Sequence, residues 1–117
     1  QASLNSELFL WAVENLIKNA IDAIEGPGGV IRVKVSGNGQ KLEIVVEDNG
    51  RGINPKNQAK IFRPGFTTKA VGWGLGLSLV KRIIEDYHGG RIKLLFSKPG
   101  TGTAFVINLP LPPKNKS

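Results

Sequence analysis

The sequence predicts an α/β fold in which helices and an antiparallel sheet form two separate layers. Three observations carry that expectation. Apolar residues recur at helical spacing over residues 6–24 and 75–87, four other segments alternate apolar and polar residues, and Gly- or Pro-rich turns separate the segments. A chain of 117 residues, 40% of them hydrophobic, is long enough for one core and one domain.

The first helix runs from about Ser6 to Ile24, with Phe9, Ala12, Val13, Leu16, Ile17, Ala20 and Ile24 along one stripe. Asn5 or Ser6 can cap its start, and Gly26-Pro27-Gly28-Gly29 ends it, because proline and glycine oppose its continuation. Val30 to Ser36 then alternates, placing Ile31, Val33 and Val35 on one face and Arg32 and Lys34 on the other. The chain turns at Gly37-Asn38-Gly39 and alternates again through Leu42, Ile44 and Val46 to Asp48, which predicts a hairpin.

Residues 49–72 are rich in Gly, Pro, Asn and Lys, with one short helical candidate where Asn54 caps and Pro55 takes the first helical position. So long an irregular stretch in a small domain is usually functional. A second helix from about Leu75 to Tyr87 buries Leu79, Val80, Ile83, Ile84 and Tyr87 and stops at Gly89-Gly90. Arg91 to Phe96 and Thr103 to Leu109 alternate again across Lys98-Pro99-Gly100. The domain therefore covers residues 1–109, and residues 110–117 form a C-terminal tail.

Composition narrows the function. No run of about 18 apolar residues and no charged-then-apolar leader occurs, so this segment is expected to be cytoplasmic, with any membrane anchor elsewhere in the parent protein. With no cysteine, disulfides, thiolate chemistry and cysteine-ligated zinc are excluded. The formal charge of +7 draws anions, but the basic residues are scattered and lack interleaved aromatics, which points away from nucleic acid.

Asn15 and Asn19 stand four apart on one helix face, with Asp22 a further turn along. Such carboxamides either hold a hard cation or lie on a solvated face. Mg²⁺ needs only one such oxygen when phosphates and waters supply the rest. Asp48 closes an apolar strand just before Asn49-Gly50. There it is either an ordinary turn aspartate or a buried carboxylate able to accept the adenine amino group and to reject guanine, which presents a carbonyl instead. Gly50 and Gly52 would allow the backbone close to the base. Gly72, Gly74 and Gly76 lead into the second helix, where backbone N–H groups suit phosphate, and Lys69 can add an ammonium or simply be solvated. The spacing fits neither a Walker A loop nor a dinucleotide fingerprint.

In order, Asn15-Leu16-Ile17-Lys18-Asn19, Asp48-Asn49-Gly50-Arg51-Gly52, Ile61-Phe62 through Phe66 to Lys69, Gly72-Trp73-Gly74-Leu75-Gly76-Leu77 and Gly100-Thr101-Gly102-Thr103 resemble the N, G1, F, G2 and G3 boxes. Those boxes belong to the catalytic ATP-binding domain of bacterial sensor histidine kinases. The resemblance spans about Asn5 to Leu109. It implies a two-layer sandwich of a mixed, mostly antiparallel sheet with helices on one face, the fold shared by gyrase, heat-shock chaperone, histidine kinase and mismatch-repair ATPases.

By that resemblance the ligands are ATP and Mg²⁺. Asn19 binds the metal, Asn15 supports the phosphate end, and Asp48 takes the adenine amino group with Thr103 helping through water. Gly50, Gly52 and Ile53 border the base. A lid from about Ile53 to Trp73 is anchored by Phe62 and Phe66, and Lys69 meets phosphate beside Gly72, Gly74, Leu75, Gly76 and Leu77. Asn15, Asn19 and Lys69 would carry the catalysis.

Many histidine kinases place a basic residue where this chain has Asp22, so that charge role would pass to Lys69 or Lys18. Related hydrolases carry a glutamate at the position of Asn15, and Glu14 points about 100° away around the helix. Phosphoryl transfer is therefore favoured over hydrolysis. The implied partner is a histidine-bearing dimerisation domain of the same protein, with a response regulator downstream, in a homodimeric parent whose isolated fragment is monomeric. His88, at the end of the second helix, is expected to be structural. The alternatives are another ATPase of the superfamily or an anti-sigma-factor-like serine kinase.

Overall fold

The structure, a computed structural model, describes residues 6–37, 39–63 and 76–110. Helix α1 spans Ser6–Ala23, strands β1 and β2 span Ile31–Gly37 and Lys41–Asp48, and a single turn, α2, spans Pro55–Gln58. Helix α3, Gly76–Arg82, runs on into a π-helical turn at Ile83–Tyr87, followed by β3, Arg91–Lys98, and β4, Gly102–Pro110. Pro110 thus belongs to the sheet rather than to the tail, and residues 111–117 lie outside the described residues.

The four strands form one sheet in the order β1-β2-β4-β3, and every pairing among the described residues is antiparallel. The parallel component implied by a mixed sheet does not occur among them. Both hairpins form as the alternation predicts, and they join through β2 and β4, which makes β1 and β3 the outer strands among the described residues.

Residues paired across antiparallel strands share a face. Val46 opposite Phe105 and Ile44 opposite Ile107 therefore form the floor on which the helices sit. Ala12 and Leu16 of α1, with Val80, Ile83 and Ile84 of the second helical segment, close over that floor. Leu16, Ile84 and Ile107 are almost fully buried, and burying such a side chain stabilises the fold by about 1.5–3 kcal/mol. Val33 and Val35 share this face by register, opposite Val46 and Ile44, yet are 46% and 62% exposed. Among the described residues the helical layer packs chiefly on the β2 and β4 side chains of the core and meets β1 less.

The π-helical turn has an identifiable partner. His88, 6% exposed, bonds the Ile83 carbonyl through Nδ1 at 2.8 Å, and a carbonyl only accepts, so Nδ1 is the donor. The Gly90 N–H closes on the Ile84 carbonyl at 2.8 Å, and Phe9 meets the imidazole edge to face. The expectation of a structural His88 agrees with this setting. Asn54 caps α2 through its side chain, which accepts from the Lys56 N–H at 2.9 Å.

Candidate functional site

Asp48 ends β2 and pairs in register with Thr103 at the start of β4, so the two side chains emerge on the helix-covered face. Both are buried, at 8% and 4% exposure. Asp48 Oδ1 accepts the Gly50 N–H at 2.7 Å, and the carboxylate also accepts the Thr103 backbone N–H. Gly102 makes this junction possible: its φ is +148°, and a Cβ there would overlap the Asp48 carbonyl oxygen.

The G1-box loop is tied to both neighbours. Asn49 accepts the Val30 N–H at 2.8 Å and donates to the Gly28 carbonyl at 3.1 Å, which holds the loop following α1. The Arg51 backbone N–H and its guanidinium donate to the carbonyls of Ala23 and Asp22, both at 2.8 Å. These bonds satisfy acceptors that the end of α1 leaves unpaired. An ion pair from Arg51 to Glu25 at 3.7 Å is exposed and adds little.

A cavity of about 400 Å³ opens beside this carboxylate, within the size range of small-molecule sites. Val46, Ile61 and Phe105 give it apolar walls, Asn19 and Ala23 of α1 border one side, and Leu77 of α3 reaches it as well. Burial pushes the Asp48 carboxyl above the usual carboxylate range. The Gly50 and Thr103 N–H groups and the Arg51 charge oppose that rise, while Glu47 adds to it. The result is a buried acceptor among apolar surfaces, suited to a flat ring carrying an amino donor.

Six of the residues singled out from the sequence border this cavity: Asn19, Asp48, Gly52, Ile53, Leu77 and Thr103. Asn15 does not. Its amide donates to the Trp11 carbonyl at 2.9 Å. The space left by the G1-box glycines is filled by the protein itself, since a Cβ at Gly50 would stand 2.5 Å from the Ala23 oxygen and one at Gly52 would overlap the Lys98 oxygen. Both glycines are therefore required by close backbone packing within the protein, and Gly52 also borders the cavity. Gly76 is the first residue of α3. Phe66, Lys69, Gly72, Gly74 and Leu75 lie outside the described residues, as does Trp73.

The sequence reading missed Ser97 and Gln58. Ser97 Oγ accepts the Ile53 N–H at 2.7 Å and meets Thr103 Oγ1 at 2.9 Å. Gln58 Nε2 donates to the carbonyls of Ile53 at 3.1 Å and Ser97 at 3.3 Å. Among the described residues no group of three or more His, Cys, Asp or Glu is placed to hold a metal ion, so a cation here would depend on carboxamide, phosphate and water oxygens.

A sequence-family profile described as "Histidine kinase-, DNA gyrase B-, and HSP90-like ATPase" matches residues 5–113. The chain belongs to this family of ATP-binding domains. It is 47% identical over 97 residues to the sensor histidine kinase ZraS of Escherichia coli K12, covering 83% of this chain and 20% of that protein. It is 42% identical over 108 residues to the signal transduction histidine-protein kinase AtoS of the same strain, covering 92% and 17%. The chain thus spans about one fifth of the length of the curated relatives it matches. Among solved structures, a mycobacterial sensor histidine kinase, MprB, superposes with a TM-score of 0.80 at 31% identity, over 94% of this chain and 76% of that one. A nucleotide-free catalytic domain of the histidine kinase ThkA gives 0.77 at 36% identity, over 91% and 68%.

Proposed function

We propose that this domain binds Mg²⁺-ATP and presents its γ-phosphoryl group to a histidine on a separate dimerisation domain of a sensor histidine kinase. The observation that carries the reading is the buried Asp48 at one wall of an apolar cavity bordered by Asn19. The carboxylate accepts the adenine amino group, the apolar walls sandwich the ring, and the Asn19 carboxamide lies toward the phosphates. Discrimination against guanine follows, because a carbonyl facing Asp48 leaves two acceptors opposed and unpaired.

Asn19 fits Mg²⁺ as a single oxygen ligand, with phosphate and water oxygens completing the shell. Bound there, the metal would neutralise charge developing on the phosphates. Asn15, one helical turn earlier, supports the phosphate end, and Lys69 beside Gly72, Gly74, Leu75 and Gly76 supplies further positive charge and N–H donors. By the family resemblance, Phe66 would belong to the same phosphate-end segment. Asn15 stands where a hydrolase would place its water-activating glutamate, which favours transfer over hydrolysis. The parent would act as a cytoplasmic catalytic region in a homodimer and signal through a response regulator, while the isolated domain would be a monomer.

Calorimetry and a phosphotransfer assay test this. The chain should bind ADP and an ATP analogue with Mg²⁺, and ligand at about 100 times its dissociation constant should add roughly 2.7 kcal/mol to stability. With labelled ATP it should leave itself unlabelled, since His88 is buried and bonded to the Ile83 carbonyl, and should label an added histidine-bearing dimerisation domain. Acid-labile label on His88, or no transfer to any such domain despite tight ATP binding, would overturn the assignment.

A further inference from the structure

Strand β3 changes face partway along its length. Ile92 and Leu94 pair with Ile107 and Phe105, on the covered face. Unbroken alternation would next bring Phe96 to that face and send Ser97 to the other. Instead the register shifts between Leu94 and Phe96, so that Phe96 pairs with Ala104 and Ser97 with Thr103. One residue is thereby left without a cross-strand partner, and the face of every following side chain is inverted. Leu95 and Phe96 are 57% and 41% exposed, while Ser97 comes opposite Thr103, which borders the cavity beside Asp48.

The hydroxyl delivered this way has a full set of partners. It accepts from the Ile53 N–H, meets Thr103 Oγ1 at 2.9 Å and donates toward the Gly102 carbonyl at 3.3 Å. The Ile53 bond uses one lone pair and fixes where the remaining lone pair and the proton point. Thr103 is buried and borders the cavity, and the contact with Ser97 is a hydrogen bond of its hydroxyl. Gln58 holds the other side of the same junction by bonding the carbonyls of Ile53 and Ser97.

We infer that Ser97 is a positioning residue for the nucleotide site, fixing the Thr103 hydroxyl through a contact that the bulge in β3 creates. The inference rests on the nucleotide reading above. It predicts that Ser97 matters for affinity through Thr103, over and above any contribution to stability. Adenosine is the suitable probe alongside ADP, because it reports the base end alone.

The test is a double-mutant cycle on this chain, with adenosine and ADP dissociation constants and a thermal melt for each variant. Ser97→Ala should weaken both ligands at least threefold, Ser97→Thr, which keeps the hydroxyl, should restore affinity to within twofold of wild type, and Ser97→Ala added to Thr103→Val should cost less than twofold. A purely structural Ser97 would lower the melting temperature and leave the dissociation constants within threefold, and that result overturns the inference. Equal weakening by Ser97→Ala in the presence and absence of the Thr103 hydroxyl overturns it too. Should Ser97→Ala not fold, failure of the folded Ser97→Thr variant to bind like wild type has the same force. Absence of ADP binding by the wild type would instead defeat the nucleotide reading itself, which separates the two failures.

Discussion

Replacing Asp48 with asparagine separates recognition from stability. Asp48 Oδ1 is held by the Gly50 N–H at 2.7 Å, and the side chain is only 8% exposed. In Asp48→Asn the amide must keep its oxygen toward Gly50, because the reverse orientation sets NH₂ against N–H. The NH₂ group then faces the cavity, where the adenine amino group also donates. A buried unsatisfied donor costs about 1–3 kcal/mol. With about 1.4 kcal/mol per factor of ten, nucleotide affinity should fall roughly 5- to 150-fold.

Stability should respond differently to the same substitution. Removing a buried charge relieves a desolvation penalty, while any backbone N–H bond lost to the amide costs about 1 kcal/mol, so the net change in unfolding free energy should stay within about 1 kcal/mol. Titration calorimetry with ADP and urea unfolding measure the two quantities on one sample. A folded Asp48→Asn variant that binds ADP as tightly as wild type would refute the placement of adenine at this carboxylate.

Burial raises the Asp48 pKa, so the folded chain holds this proton more tightly than the unfolded one. The contribution of this group to stability is therefore greatest at low pH and falls as pH rises from the ordinary carboxylate value through the raised one, a step that urea unfolding should show in wild type and not in Asp48→Asn. Over the same window adenosine affinity should rise, as the carboxyl ionises and gains acceptor capacity. Gly102→Ala should lower unfolding free energy by about 2–5 kcal/mol, through strain at its φ of +148° and overlap with the Asp48 carbonyl. Gly100→Ala, at φ +79° with open space around it, should cost only about 1 kcal/mol in the same denaturant titration. Lys69→Ala should weaken an ATP analogue by tenfold or so and leave adenosine unchanged, and equal loss for both ligands would remove Lys69 from the phosphates.

Both hairpins, the α1 stripe and the Asn54-Pro55 turn were legible because each depends on neighbours in sequence. Asp48 was legible as a strand-end carboxylate, and the fold buries it opposite Thr103. What escaped depends on contacts between distant segments. The union of β2 with β4 has no local signal, and neither does the exposure of Val33 and Val35 among the described residues. Simple alternation over Arg91 to Phe96 hides Ser97, since a bulge is set by pairing with β4 and not by apolar periodicity. The π-helical turn, with His88 bonding a carbonyl five residues back, likewise breaks the 3.6 period that located the helix. That the two G1-box glycines make room for Ala23 and Lys98 is likewise a long-range contact with no local signal.

The strand order also governs when the site can exist during folding. One hairpin, residues 31–48, carries the carboxylate, and the other, residues 91–110, carries the threonine that faces it. Closing so long a loop is slow relative to making either hairpin, so the docking of β2 against β4 is a late event in assembly. On the proposed function, neither half would offer adenine a walled acceptor until it occurs, and a nucleotide would gain nothing from binding a partly folded chain. ATP bound there would then not template this domain but trap the finished sheet, which predicts slower unfolding and an unchanged rate of folding.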